Sequence, residues 1–504
     1  MFSDETLDVI EFKSSWKKER RVRDGSTQTS EIITNDVAAQ SVDRHEIEVQ
    51  TDELYEKATP YRFVNDKSQE YQELRDFLAR VEPMLHAQLE KNLHSHAFDG
   101  YDVNWHEETK TVTCVHTLSH ADLEPGLNVT GLSWNSTGST VAVSYGRFDH
   151  EDWCTHKSLL CTWNVDRKNI NPKKADVAVD VSSCLMCVAF HPEIPAFIAG
   201  GTFNGEVQLW DLSQPDNPLL ASSGIEDDSH RDPVSRVVWV LDPEGKGKNK
   251  YKLVSISGDG KILVWQASPQ SKEIKLLDGF LLLAESMPRS MRKGRLRPDA
   301  EMGVTAISYT HEDKTLFVVG SEGGGVFKCS MNSSDRLAAA HIQSSVPLKN
   351  PVSFAFTPHV GPVYAVECSP YHRNLFLTCG IDQTARVYSM LQTKPVLELE
   401  PAAGYIFSAR WSPVRPSVFA VVTGEGQLLI YDLVVHKVNP VCTLEAGSDK
   451  KPVYTLEFNL HNRQLLATGD ELGHVRVWQL NDELTLQDPG EETVLADLAD
   501  TALE

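Results

Sequence analysis

The sequence predicts an all-β fold, a seven-bladed β-propeller preceded by a disordered arm and a short helical segment. Two observations carry that reading. Seven stretches end alike: an apolar run, a turn rich in Gly, Asp or Asn, and a second apolar run finishing at Trp163, Trp210, Trp265, Cys329, Tyr388, Tyr431 or Trp478. These ends fall roughly 43 to 64 residues apart, so one supersecondary unit is repeated. The second observation is a spare strand-like run, Thr111 to Leu118, ahead of the first unit. A circular array must hide its first and last edges, and this run is placed to close the ring as the outer strand of the seventh blade.

In chain order, residues 1–60 mix Ser, Thr, Asp, Glu and Lys without sustained periodicity and cannot bury enough apolar surface to fold alone. Two short segments stand out inside this arm, Gly25 to Glu31 around Ser26-Thr27-Gln28-Thr29 and Glu46 to Glu53 around Val49-Gln50-Thr51-Asp52. Each sets Gln between residues of high strand propensity, which suits a peptide added to a sheet edge. Ala39 to Asp43 repeats the spacing around Gln40 without the Thr, and the sequence leaves it open as a third site. Residues 61–100 form a helical segment in which Tyr71, Leu74, Leu78, Val81 and Leu85 recur at three- and four-residue steps, with Phe77 and Leu89 extending the apolar stripe. Pro83 predicts a break, with one helix over 68–81 and another starting near Glu82. The stripe packs on the propeller or docks on a partner; both readings stay open.

The propeller is expected over 103–480. Its third unit shows the pattern plainly: Lys252 to Ser257 runs into Gly258-Asp259-Gly260, and Lys261 to Trp265 follows, two β-branched runs around a hairpin turn. Phe197 to Trp210, Leu375 to Tyr388 and Leu465 to Trp478 repeat it. A further strand precedes most hairpins, such as Val188 to Phe190 or Val363 to Val366, and a variable one follows, giving four strands per blade and a WD-repeat propeller. In that setting His230 is expected to bond the turn residue Asp259, and His359 to bond Asp382. Residues 481–504 read as an acidic tail, either frayed or a short docking helix.

Composition narrows the function. The chain has 504 residues, is 41% hydrophobic and carries a net charge of -23, which repels nucleic acid and anionic lipid. No apolar run approaches membrane-spanning length, so no membrane insertion is expected. Met1 to Glu5 lacks a signal core, and nine Cys, an odd number, suit a reducing compartment. The expected location is the cytoplasm. Arg289, Arg292, Lys293, Arg295 and Arg297 make one basic loop in an acidic chain, either a docking surface or simply solvated.

Several runs carry a specific resemblance. Ile198 to Leu212, Ser229 to Val234, Ser257 to Trp265 and Trp411 to Ala420 resemble successive blades of a dynein intermediate chain, and the Thr-Gln-Thr and Val-Gln-Thr cores resemble the motif read by the eight-kilodalton dynein light chain. The short arm most resembles the intermediate chain of the second cytoplasmic dynein, the motor of retrograde intraflagellar transport. Residues 1–24 hold only a short basic patch, Lys17-Lys18-Glu19-Arg20-Arg21, where the ordinary cytoplasmic chain has a long charged helix. The resemblance implies a non-catalytic scaffold without cofactors, at the cytoskeleton and cilium, including axoneme and basal body. Its propeller would grip the heavy-chain tail, its arm would pair with a second, different WD-repeat intermediate chain through dimeric light chains, and its helical segment stands where the family binds a roadblock-type light chain. The alternatives are an intermediate chain of ordinary cytoplasmic or axonemal dynein, or a ubiquitin-ligase substrate receptor; Trp210-Asp211-Leu212-Ser213 lacks the Arg that the receptor's box requires.

Other motifs read as structure. His230-Arg231-Asp232 matches a kinase triplet, but Pro233 follows and neither the downstream Asn nor Asp-Phe-Gly exists. Cys184-Leu185-Met186-Cys187 has metal-like spacing but no second pair, so buried thiols are expected and no metal.

Overall fold

The computed structural model describes residues 69–93 and 111–500, apart from 151–152, 215, 227, 243–244, 246–249, 268–272, 287–296, 298, 335–343 and 488–489. The arm motifs around Gln28, Gln40 and Gln50 lie outside the described residues, as do Arg289, Arg292, Lys293 and Arg295. The chain divides into two units, Met1–Asn104 and Trp105–Glu504.

In the first unit, helix α1 spans Gln69–Leu93 with Pro83 inside it. The expected break into two helices does not occur. Proline removes one backbone donor and crowds the preceding turn, at a cost of about 3 kcal/mol, but Leu, Glu, Ala and Gln flank it on both sides and favour helix throughout. Leu74, Phe77, Leu78, Leu85 and Leu89 are exposed on α1 and Val81 is half-buried, so the stripe presents an apolar face.

In the second unit, seven antiparallel sheets form the blades. Their first strands are Asn128–Trp134, Leu185–Phe190, Val234–Leu241, Val304–Tyr309, Val363–Cys368, Ile406–Trp411 and Val453–Phe458. Each contacts the next and the last contacts the first, which closes the ring around a central channel. The seven repeat-ending residues all lie buried in third strands. Val112–Leu118 pairs antiparallel with Val475–Leu480, so blade 7 is completed by the segment that precedes blade 1. Blade 3 carries a fifth strand that the sequence does not announce: Leu348–Lys349 runs parallel to Lys275–Leu281, where Gly279 lets Leu348 come close.

The core is distributed rather than central. One buried cluster sits at each of the seven blade interfaces, such as Val179, Val181, Phe190, Ile198 and Trp210 between blades 1 and 2. Close approach there demands glycine: a Cβ on Gly469 would lie 2.3 Å from Val129 Cγ1, across the seam where blade 7 meets blade 1. The C-terminal run is not a frayed tail. Helices α2 (Asp482–Thr485) and α3 (Glu491–Asp500) follow the last blade, and Leu484, Leu495 and Ala499 are buried. Leu495 and Ala499 pack into the interface cluster of blades 5 and 6. No helix among the described residues is long and apolar enough to cross a membrane.

Candidate functional site

All seven first strands carry the same irregularity. The register against the second strand slips by one residue near the strand start, between Val129 and Gly131, Leu185 and Cys187, Val234 and Arg236, Val304 and Ala306, Val363 and Ala365, Ile406 and Ser408, and Val453 and Thr455. A β-bulge re-aims the extra side chain. The extra residues are Thr130, Met186, Ser235, Thr305, Tyr364, Phe407 and Tyr454, all half-buried at the end of the channel where the first strands begin. On four blades they are small or unbranched. On blades 5, 6 and 7 they are aromatic.

These aromatics touch in series. The Tyr364 and Phe407 rings lie 5.1 Å apart, Phe407 and Tyr454 4.9 Å, and Tyr454 and Phe148 4.9 Å; the last two contacts are edge-on, the arrangement aromatic pairs prefer. Phe148 comes from the loop after the second strand of blade 1 and is 49% exposed, and Tyr405, 46% exposed, joins the row beside Phe407. Burial pushes the Tyr454 phenol up to about 12 and raises that of Tyr364, which disfavours charge at both. The result is an apolar crescent on one side of the channel mouth.

Three or four residues further along these strands lies a second tier that ties blade to blade. Ser133 Oγ accepts from Phe190 N at 2.9 Å, Trp239 Nε1 donates to Ala189 O at 3.2 Å, Ser308 Oγ accepts from Cys368 N at 2.9 Å, and Trp134 Nε1 donates to Glu457 O at 3.2 Å. Glu367 accepts from Trp411 N, and Arg410 Nε donates to Glu457 at 3.0 Å. Burial raises Glu367 to about 7 despite the opposing Arg410 charge. This tier bonds neighbouring blades to one another beside the crescent.

The turn pairs lie further out. His230 Nδ1 is 3.2 Å from Asp259 and its Nε2 is 2.7 Å from Ser255 Oγ, which also accepts from Trp265 Nε1 at 2.8 Å. His359 Nδ1 is 3.0 Å from Asp382 and its Nε2 is 2.8 Å from Thr378 Oγ1. Burial opposes ionisation of Asp382, but the His359 and Thr384 side chains and the Val360 N–H outweigh it and hold the carboxyl well below its usual range. Both His lie buried among protein partners and serve the scaffold. Of the basic loop only Arg297 is described, and it is exposed. The crescent escaped sequence reading because its members come from four blades; Tyr364, Phe407 and Tyr454 share one place, second in their first strands, and that was the available signal, whereas Phe148 and Tyr405 stand in loops.

A closed ring of seven blades, six of four strands and one of five, with WD-type buried hydrogen-bond pairs and an apolar mouth defines a WD-repeat scaffold. Residues 297–480 match the family described as the dynein axonemal intermediate chain 3 WD40 domain. The chain is 45% identical over 97% of its length to cytoplasmic dynein 2 intermediate chain 2 of Mus musculus, covering 90% of that protein. It is 43% identical over 98% of its length to the Homo sapiens protein of that name, covering 92% of it. Similarity to dynein axonemal intermediate chain 2 of Homo sapiens is lower, 27% over 73% of this chain and 55% of that one. The chain belongs to the dynein intermediate chain family. It is therefore a non-catalytic component of a dynein complex and a protein of the cytoskeleton.

Proposed function

We propose that this chain is the intermediate chain of the dynein that drives retrograde ciliary transport, working in cytoplasm and cilium, including axoneme and basal body. The observation that carries this is the 45% identity, which extends over 97% of the chain and so runs through the arm as well as the propeller. Axonemal relatives match over about three quarters of it. In this reading the propeller holds the heavy-chain tail at its mouth, where Tyr364, Phe407, Tyr454 and Phe148 offer uncharged aromatic anchors of the kind that dominate interfaces. The basic loop at Arg289, Arg292, Lys293, Arg295 and Arg297 adds a charged contact. The exposed stripe Leu74, Phe77, Leu78, Leu85 and Leu89 of α1, with Tyr71 and Val81, seats a roadblock-type light chain. The arm segments around Gln28 and Gln50 add strands to the eight-kilodalton light chain, and a dimeric light chain then zips this arm to that of a second, different intermediate chain. Successive weak sites on one arm act at high effective concentration.

Affinity purification of the tagged full chain from ciliated cells, read by mass spectrometry, tests this. Recovery of the retrograde-transport heavy chain with both light chains is expected. Recovery of the ordinary cytoplasmic or an axonemal heavy chain instead moves the chain to another branch. Phe407→Ala with Tyr454→Ala is expected to cut heavy-chain recovery several-fold and spare the light chains, while Gln50→Ala with Thr51→Ala does the reverse.

A further inference from the structure

The Cys184 and Cys187 pair that looks like a metal motif in sequence does not act as one. Cys187 Sγ turns to Val234 O at 3.4 Å, inside the interface of blades 2 and 3. Cys184 instead meets two residues more than 25 positions away. Its sulfur, that of Cys154 and a ring nitrogen of His150 all lie within 4.8 Å of one another. Cys154 is 2% exposed and Cys184 is fully buried. His150 Nε2 is buried without a hydrogen-bond partner, although its ring is held 4.2 Å from Phe203 and 5.1 Å from His156 between ring centroids. A buried imidazole nitrogen left unbonded beside two thiols needs an explanation.

We propose that His150, Cys154 and Cys184 form a zinc site that staples His150 and Cys154, which follow the second strand of blade 1, to the junction of blades 1 and 2. The supporting shell is in place. Asn204 stands at the hairpin turn of blade 2, where blades 3 and 5 have Asp259 and Asp382, and instead of a His it holds the Cys154 backbone: Cys154 N donates to Asn204 Oδ1 at 2.9 Å and Asn204 Nδ2 donates to Cys154 O at 3.0 Å. Cys184 N donates to Cys154 Sγ at 3.2 Å, so the backbone of one cysteine already holds the sulfur of the other. Zinc–sulfur bonds of about 2.3 Å in a tetrahedron put ligand atoms roughly 3.8 Å apart, so the three need to close by about 1 Å at most. Two thiolates and an imidazole select zinc over harder ions, and the two thiol protons leave to solvent, so the bound site is neutral and tolerates burial. Water or His156 takes the fourth position.

The test uses the full chain, stripped by chelator and titrated with zinc alone against a chromophoric chelator, with cobalt as the spectroscopic probe. One equivalent of zinc is expected, with a thiolate-to-cobalt charge-transfer band and protection of Cys154 and Cys184 from alkylation. Cys154→Ser and His150→Ala are expected to weaken binding more than about tenfold, while Cys187→Ser leaves it unchanged. The alkylation footprint on the parent protein reads the same ligands if a variant fails to fold. Absence of stoichiometric zinc, a cobalt spectrum without the thiolate band, or a disulfide between Cys154 and Cys184 in place of metal binding overturns the site.

Discussion

Ser255 shows how much one small side chain carries. Its hydroxyl accepts from Trp265 Nε1 and faces His230 Nε2, all of them buried, so Ser255→Ala leaves two polar groups without partners at once. That loss costs about 2 to 4 kcal/mol, and a fall of several degrees in the thermal midpoint is expected; an unchanged midpoint would show that the pair contributes nothing. Gln383 is the opposite case. It sits in the blade 5 hairpin turn with φ 65°, where blades 2, 3 and 7 place Gly205, Gly260 and Gly473. A side chain there costs about 1 kcal/mol, so Gln383→Gly is expected to raise the midpoint. Glu367 sets a pH dependence. Burial raises its carboxyl from 4.5 to about 7, so the folded state binds this proton more tightly than the unfolded chain does. Its contribution is fully present below about pH 4.5 and is lost as pH rises through about 7. Glu367→Gln is therefore expected to gain on the parent across that window, by on the order of 2 kcal/mol, in denaturation midpoints measured at pH 5 and pH 8. A difference independent of pH would show that Glu367 titrates normally.

At the scale of elements, α3 is held by a buried charge network that the acidic run conceals. Arg415, from the turn after the first strand of blade 6, bonds Glu491 through Nε at 2.7 Å and Asp432 through Nη2 at 2.9 Å, while Leu495 and Ala499 enter the cluster between blades 5 and 6. Leu495→Asp places an unpaired charge in that cluster. Rapid protease cleavage between α2 and α3, with the remaining blades intact, is the expected outcome, and resistance equal to the parent would mean that α3 does not depend on its apolar face. The hairpins were legible in sequence because each is a local pattern: alternating or continuous apolar runs around a Gly, Asp or Asn turn. The strand Leu348–Lys349 was not, because two residues carry no period. Pro83 misled for a related reason. A local rule marked a break, and the helix-forming residues on both sides outweighed it.

For the whole molecule, closure is the central fact. Val112–Leu118 supplies the outer strand of blade 7, so two segments far apart in sequence meet in one sheet. Deleting 112–118 bares the edge of Val475–Leu480, and self-association on size-exclusion chromatography is expected, whereas deleting residues 1–60 is expected to leave the propeller monodisperse; a monomeric 112–118 deletion would show that the seam needs no cover. The sequence by itself determined the repeated unit, its number, the closing strand and the His pairs of blades 3 and 5, because period, turn chemistry and β-propensity act over a few residues and recur. Only the tertiary structure decided which residues share a place in space. Bulges on three separate blades, with one loop of a fourth, assemble the aromatic crescent, and blades 1 and 2 together gather His150, Cys154 and Cys184. Those groupings depend on ring closure, which sets side chains tens or hundreds of positions apart within a few ångströms and leaves no period along the chain.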